Sequence, residues 1–451
     1  MGMNFLPLGK YDTILYMGQN NTKQHIGIIG GGASGIACAL RLCELGHTVT
    51  VLEASAYIGG KCTSAIVEGR HVDVGGGAGI PGRYDIVKKI SDAVGITTRF
   101  VPHNRDVSVV HGETPTLPKG AWKKAVAVWQ ICKYIFLYYR YGCSQRSGLY
   151  RYHSDLLSTS WETFSKKHSL TLVEEVSRKS IFGFGYGEAK DIHMGYVFNY
   201  ITPKSLLLSV ISFWKKSFLY YWEEGTQEIW RRVSEKLVHE YGARVRVNSA
   251  VTNVVRSEKD VHVTCSDGTS YVFDTIVIST DKEATVQFLD GTPTERMVCG
   301  KILYNDYRTY VCKVEHFDGH DQKGITYIWE YIRDYTMNKP VFWSKRYEDL
   351  HWYVFYVPVR DATNEQIIDE IQTFVRNLGG EVTQVQDIFS WRMFPHVHPN
   401  DATEFIHDMQ DLQGQRHTYY IGEVYSFSLL PCVVEYAFDV AERIDAESRG
   451  K

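Results

Sequence analysis

The first strongly patterned stretch runs from His25 to Glu53. Ile26 to Ile29 is a β-branched apolar run, which predicts a buried strand. Ile36 to Leu45 places Ala37, Leu40, Arg41 and Leu45 at helical spacing and predicts a helix that Gly46 ends. Thr48 to Leu52 predicts a second β-branched strand, closing on Glu53.

Beyond it the pattern alternates between mostly helical and mostly stranded blocks. Residues 84–94 predict a helix ending at Gly95, and Val107 to Val110 predicts a strand. Trp122 to Tyr141 predicts a helix that is apolar almost all the way round, with Lys123, Lys124, Lys133 and Arg140 interspersed. The first expectation for such a helix is burial in a core; the alternative is an interfacial surface that meets membrane lipid. Residues 155–222 read as mostly helical, broken by glycines at 183, 185 and 187. A helix is predicted from Thr226 to Tyr241, strands over 244–255, a hairpin around Asp267-Gly268, and a buried strand at Ile276 to Ser279. Aromatic-rich strands are predicted over 307–358, a helix over 364–378, and strands at Val385 to Phe394 and Thr418 to Ile421. A closing helix is predicted over 432–445.

The chain has 451 residues, enough for two domains and a large core. Its net charge of −3 gives no reason to expect nucleic acid. Thirty Tyr, 20 Phe and 10 Trp are a high aromatic count; aromatics often serve only the core, and the alternative is that they line a large apolar ligand channel. Nine scattered cysteines form no C-x-x-C pair, so reduced thiols and a cytoplasmic location are expected. Residues 1–23 lack the basic start and unbroken apolar core of a signal peptide, and no apolar run is long enough to span a membrane.

The chemistry is concentrated between the first strand and helix. Gly30, Gly32 and Gly35 form G-x-G-x-x-G, with Ala33 and Ser34 inside it. Gly30 makes the tight turn, Gly32 lets the backbone approach a pyrophosphate, and Gly35 lets helix and strand pack. The helix start offers free N–H groups to phosphate. Glu53 stands at the right distance to accept a ribose hydroxyl. Two more glycine-rich loops follow: Gly59-Gly60-Lys61-Cys62, and Asp73 to Gly79 with Gly76, Gly77 and Ala78. This pair resembles the FAD-binding half of the flavin amine oxidase and phytoene desaturase superfamily. The resemblance implies that the first loop lies against the pyrophosphate and ribityl chain and the second borders the isoalloxazine.

Four narrower strings carry a closer resemblance: Phe182 to Gly187, Glu224 to Gln227, Phe394 to Val397 and Tyr420 to Phe427. Together they resemble the bacterial FAD-containing polyenoic fatty acid isomerases, over residues from about Gln24 to the last helix. The resemblance implies an α/β fold, a Rossmann-type FAD-binding domain with an interleaved α+β substrate domain. The expected division is 24–104, 225–298 and 395–451 for the FAD-binding domain, and 105–224 and 299–394 for the substrate domain. It also implies the reaction: flavin N5 takes a hydride from the methylene between two double bonds, and the hydride returns to another carbon, leaving a conjugated product and no net redox change. The partner is then a polyunsaturated acyl chain.

Carried over by position, Phe184 and Tyr186 are the expected catalytic aromatics. Arg105 is the expected clamp on the substrate carboxylate, with Phe213 or Trp214 as its aromatic gate. Gly422 and Glu423 are expected to return to the ribityl chain and pyrophosphate, and Val251 to lie near the adenine. His396 and His398 have no acid or cysteine spacing around them, so no metal site is expected. Two other readings keep the fold. One is an amine oxidase or polyene desaturase that passes electrons to oxygen or a quinone. The other is a non-enzymatic lipid-binding protein, against which the intact glycines, Glu53 and Glu423 argue.

Overall fold

In a computed structural model of the chain, residues 23–80, 82–101, 104–107, 120–141, 147–207 and 219–450 are described, with 104–107 as backbone alone. The β-branched run His25–Ile29 is the middle of a five-stranded parallel sheet. The strand order is Thr418–Tyr420, Thr275–Ile278, His25–Ile29, Thr48–Leu52, Arg244–Arg246. Nearly every residue of the three inner strands is buried, because both faces are covered. Helix Ala33–Glu44 covers one face and packs between helices Thr226–Tyr241 and Leu430–Arg449. A three-stranded antiparallel sheet, residues 251–273, approaches from the other face. Gly27 makes that approach fit, since a Cβ there would stand 2.5 Å from the Phe273 ring.

A second, six-stranded sheet runs Glu381–Val397, Ile302–Glu315, Trp352–Val359, Phe342–Lys345, Gly324–Ile328, Asn104–Val107. Its pairings are antiparallel except the last, where Asn104–Val107 runs parallel to Gly324–Ile328. The period of two divides its side chains. Tyr310, Cys312, Val314, Tyr353, Phe355 and Val357 pack under helix Asn364–Asn377. That helix opens on a capping box in which Thr363 and Gln366 bond reciprocally. The alternate positions Tyr307, Thr309 and Tyr356 face the opposite way, into the cavity described below.

Helices Ala121–Tyr141, Trp161–Lys167, Thr171–Ile181 and Met194–Tyr200 pack together beside that cavity, and Tyr200 reaches its wall. Among the described residues the block 155–222 is mostly helical, as expected, and it ends on a strand, Tyr220–Trp222, paired with Thr98–Phe100. One expectation is corrected. Helix Ala121–Tyr141 is not a core helix. Only Gln130, Tyr134 and Leu137 are buried, because aromatics on every side gave no polar face to mark the outside. No element was predicted over 399–412, yet Pro399–Leu412 is a helix started by Pro399 after a His398 cap. Of the strand expected at Val107 to Val110, Val107 alone is described, as the last residue of strand Asn104–Val107, and 108–110 lie outside the described residues. No helix among the described residues is long and apolar enough to cross a membrane.

Candidate active site

The glycine turn is tight enough to exclude side chains. Gly30 has φ of +108°, and a Cβ on Gly35 would stand 2.0 Å from the Gly30 carbonyl oxygen. Gly32 caps helix Ala33–Glu44 with no side-chain hydrogen bond, so the first-turn N–H groups stay open. The buried Ser34 hydroxyl beside them has no partner among the described residues. Glu53 lies at the same tip. Its Oε2 accepts the Gly31 N–H at 2.6 Å, and its Oε1 accepts the Ser55 N–H at 2.8 Å and hydroxyl at 2.7 Å. The Glu53 carbonyl accepts the Ser249 N–H at 2.8 Å, which brings half-buried Val251 to this end of the sheet.

The two later glycine loops stack on this turn. Gly59 bridges to Gly32, and the Cα of Gly60 is the nearest atom to a Cβ built on Gly32, at 3.9 Å. Gly76 N–H donates to the Lys61 carbonyl at 3.1 Å. Gly75 has no room for a side chain, since its Cβ would stand 1.9 Å from that same oxygen. The chain then returns from its far end. Lys61 Nζ lies 2.8 Å from Glu423 Oε2, which also accepts the Ser428 hydroxyl at 2.9 Å. A Cβ on Gly422 would meet nothing within 4 Å, so the space in front of it is open. Open helix N–H groups, an unpartnered buried hydroxyl, an acid and an open glycine cradle fit a dinucleotide.

Beyond the second loop lies a cavity of about 1140 Å³, its mouth included. Gly75, Gly76, Gly77 and Ala78 form one wall. The rest is largely aromatic and aliphatic, with Phe184, Tyr200, Tyr307, Phe342 and Leu429 prominent. Burial pushes the phenols of Tyr186 and Tyr307 well above the ordinary range, so they stay neutral. The single carboxylate in the wall, among the described residues, is Asp73. It is already occupied: it accepts the Ser64 hydroxyl at 2.8 Å, the Thr226 N–H at 3.0 Å and Arg346 Nη1–H at 2.7 Å. Lys323 stands at the cavity with its Nζ 5.5 Å from the Tyr221 ring centre, and Arg346 lies 4.5 Å over the same ring. Lys323 has no carboxylate partner among the described residues.

Three of the four narrow strings meet in one aromatic cluster. Tyr186 lies 5.5 Å from Phe394 and 4.8 Å from Phe427, ring centre to ring centre. Its hydroxyl donates to the Ser428 carbonyl at 2.8 Å, tying the cavity wall to the C-terminal return. Phe184 lines the cavity and packs 5.6 Å edge-on against Phe342. The backbone of Arg105 pairs with Thr326, three residues after Lys323. Phe213 and Trp214 lie outside the described residues. His193, 4.0 Å from Tyr196 and stacked on it, is pushed down to about 3 by burial. The sequence reading missed Lys323, Arg346, Tyr307 and Phe342. Alternation in the aromatic-rich strands was the available signal, since Tyr307 and Thr309, and Phe342 and Ser344, are successive positions on one face.

Fold and site together define a flavin-binding protein of the oxidoreductase type with a largely apolar cavity beside its glycine loops. The chain belongs to the flavin containing amine oxidoreductase family, whose model matches residues 33–391, and its cofactor is FAD. It resembles the crystal structure of a CLA-producing fatty acid isomerase from P. acnes. The TM-score is 0.82 at 24% identity, covering 93% of this chain and 98% of that one. It also resembles putrescine oxidase bound to putrescine, with a TM-score of 0.70 at 13% identity over 94% of this chain and 99% of that one. In sequence it is 21% identical over 311 residues to 4,4'-diaponeurosporene oxygenase of Staphylococcus aureus strain Mu50. That match covers 61% of this chain and 59% of the relative's length.

Proposed function

We propose that this FAD-dependent enzyme is a double-bond isomerase of polyunsaturated fatty acids, forming conjugated products with no net redox change. The observation that carries the reading is the composition of the cavity wall. It is largely apolar and aromatic, it shares the Gly75–Ala78 loop with the flavin-binding half, and it offers cations rather than a free carboxylate. Asp73 is already spent on Arg346, Ser64 and Thr226, so the described wall has no free carboxylate to pair a cationic amine, and Lys323 and Arg346 would repel one. A long acyl chain gains about 0.8 kcal/mol per buried methylene, which suits the apolar wall.

In this reading the Gly30–Gly35 turn and Ser34 receive the pyrophosphate, Glu53 the ribose, and Lys61, Gly422 and Glu423 the ribityl side. Bound FAD supplies a two-electron hydride acceptor and donor. The protein orients the chain and excludes water. Phe184 presents an aromatic ring to positive charge developing on the polyene, an attraction of very roughly 1–2 kcal/mol in a dry site. Tyr186 acts differently, since its hydroxyl is committed to Ser428: it positions the wall rather than moving a proton. Sliding along an apolar tunnel changes little energy, so a charge must fix which methylene reacts. Arg105 is that clamp, with Phe213 or Trp214 as its gate, and Lys323 is a second cation on the adjoining strand end.

The test is incubation of the holoprotein with a panel of polyunsaturated acids, with and without oxygen. Conjugated-diene absorbance should rise equally in both, without peroxide. Stoichiometric peroxide would favour the oxidase reading.

A further inference from the structure

Helix Ala121–Tyr141 turns a row of large apolar side chains outward. Trp122 is 80% exposed, Val128 60%, Trp129 52%, Phe136 62% and Tyr139 64%. At 3.6 residues per turn, 122, 129, 136 and 139 fall on one stripe, with the small exposed side chains of Ala125 and Cys132 between them. The opposite face is docked. Gln130 accepts the Leu172 N–H at 2.9 Å, and the Tyr134 hydroxyl donates to the Ile201 carbonyl at 2.8 Å. The outward stripe is therefore a fixed surface, held by a buried inner face.

The charge on this helix has one sign. Lys133 and Arg140, seven apart, follow one edge of the stripe, and Lys124 lies beyond the other. The helix contains no Asp or Glu, and none of these cations has a described carboxylate partner. Lys133 Nζ instead lies 4.6 Å from the Trp129 ring centre, at the border of the stripe. Large exposed aromatics flanked by unpaired lysine and arginine match the layering of a bilayer surface: acyl chains below, anionic headgroups around. A protein partner with an acidic rim would use the charges, but a stripe of this length with two tryptophans suits the interfacial zone.

We infer that helix Ala121–Tyr141 is a peripheral docking surface for an anionic lipid bilayer. The helix is one element away from the cavity: Tyr134 holds Ile201, and Tyr200 before it lines the cavity wall. Docking through this face therefore brings the wall of an apolar-substrate cavity next to a lipid phase. That advantage rests on the function proposed above; the docking itself rests on exposure and charge alone.

The experiment is co-sedimentation of the full-chain holoprotein with phosphatidylcholine vesicles, with and without phosphatidylglycerol. Two variants are compared with the wild type, Trp129→Ser/Phe136→Ser and Lys133→Glu/Arg140→Glu. Bound flavin and far-ultraviolet circular dichroism check that each variant folds. Wild type should bind the anionic vesicles, weaken with salt, and bind neutral vesicles poorly. Each variant should lose about tenfold or more in binding while retaining its flavin. Equal vesicle binding by wild type and variants overturns the proposal. So does a wild-type dimer without vesicle binding that the Trp129/Phe136 variant dissociates, which would assign the stripe to a second copy of the chain. Because no turnover is read, failure of the isomerase reading leaves this result interpretable, and the reverse holds.

Discussion

Arg346 donates Nη1–H to the buried Asp73 carboxylate at 2.7 Å, joining the strand that enters the second glycine loop to the substrate sheet. Asp73 is also held by Ser64 and Thr226, and Arg346 reaches the Glu223 carbonyl at 2.9 Å. The position of the second glycine loop is thus set by a pair that itself lines the cavity.

Removing one partner leaves the other charge buried. Arg346→Ala is expected to destabilise the protein by about 3–5 kcal/mol and to release flavin. Arg346→Ala/Asp73→Asn should recover part of that loss. Urea unfolding followed by tryptophan fluorescence, with flavin absorbance on the same samples, measures both. Equal stability of the single and double variants would show that the pair is not coupled.

A methyl group at Gly35 has no room, because its Cβ would stand 2.0 Å from the Gly30 carbonyl oxygen. Gly35→Ala should therefore purify without FAD or not fold at all. Gly300→Ala is the control: it lies in helix Pro293–Gly300 and its Cβ meets nothing within 4 Å. It should retain full flavin and be unchanged or more stable by about 0.5 kcal/mol.

Lys323→Gln should raise KM for free polyunsaturated acids roughly tenfold, the worth of one charge-assisted hydrogen bond. It should leave kcat and the KM of methyl esters nearly unchanged. Arg105→Ala should act in the same direction and also blur which double bond moves. Steady-state assays on acid and ester pairs separate a charge effect from a packing effect, since only the acid responds to charge.

His193 gives a pH dependence with a defined sign. Burial lowers it from 6.5 to about 3, and neither ring nitrogen has a partner among the described residues. The unfolded chain binds the proton first, so this contribution is complete above about pH 6.5. It falls by up to about 1.4 kcal/mol per pH unit as pH drops toward 3. Glu295 is depressed to about 2, so its contribution is lost only below the ordinary carboxylate range. His193→Phe should therefore flatten the stability profile between about pH 6 and 4. Urea midpoints measured across that range check it.

The flavin-binding half was legible because its signals are local. Gly30, Gly32, Gly35 and Glu53 lie within one strand–helix–strand passage, where Gly30 needs its positive φ, Gly35 has no room for a Cβ and Glu53 holds the Gly31 N–H. The substrate half was legible only in part. Tyr186, Phe394 and Phe427 belong to strings that look unrelated along the chain, and only folding shows that their rings touch. Asp73 and Arg346 are 273 positions apart, and no spacing rule links them. Helix Ala121–Tyr141 was misread for a third reason: an all-round aromatic pattern does not say which face is covered.

The order in which the parallel sheet is assembled has a consequence for synthesis. Its middle strand is among the first residues described, and its outer strand Thr418–Tyr420 is among the last. Loop closure over so long a span must precede any reward from that pairing. Glu423, which meets Lys61, emerges from the ribosome later still. Until that segment folds back, the nucleotide cradle is only half built. Flavin shortage should therefore leave the segment around Glu423 more open to protease than it is in the loaded protein.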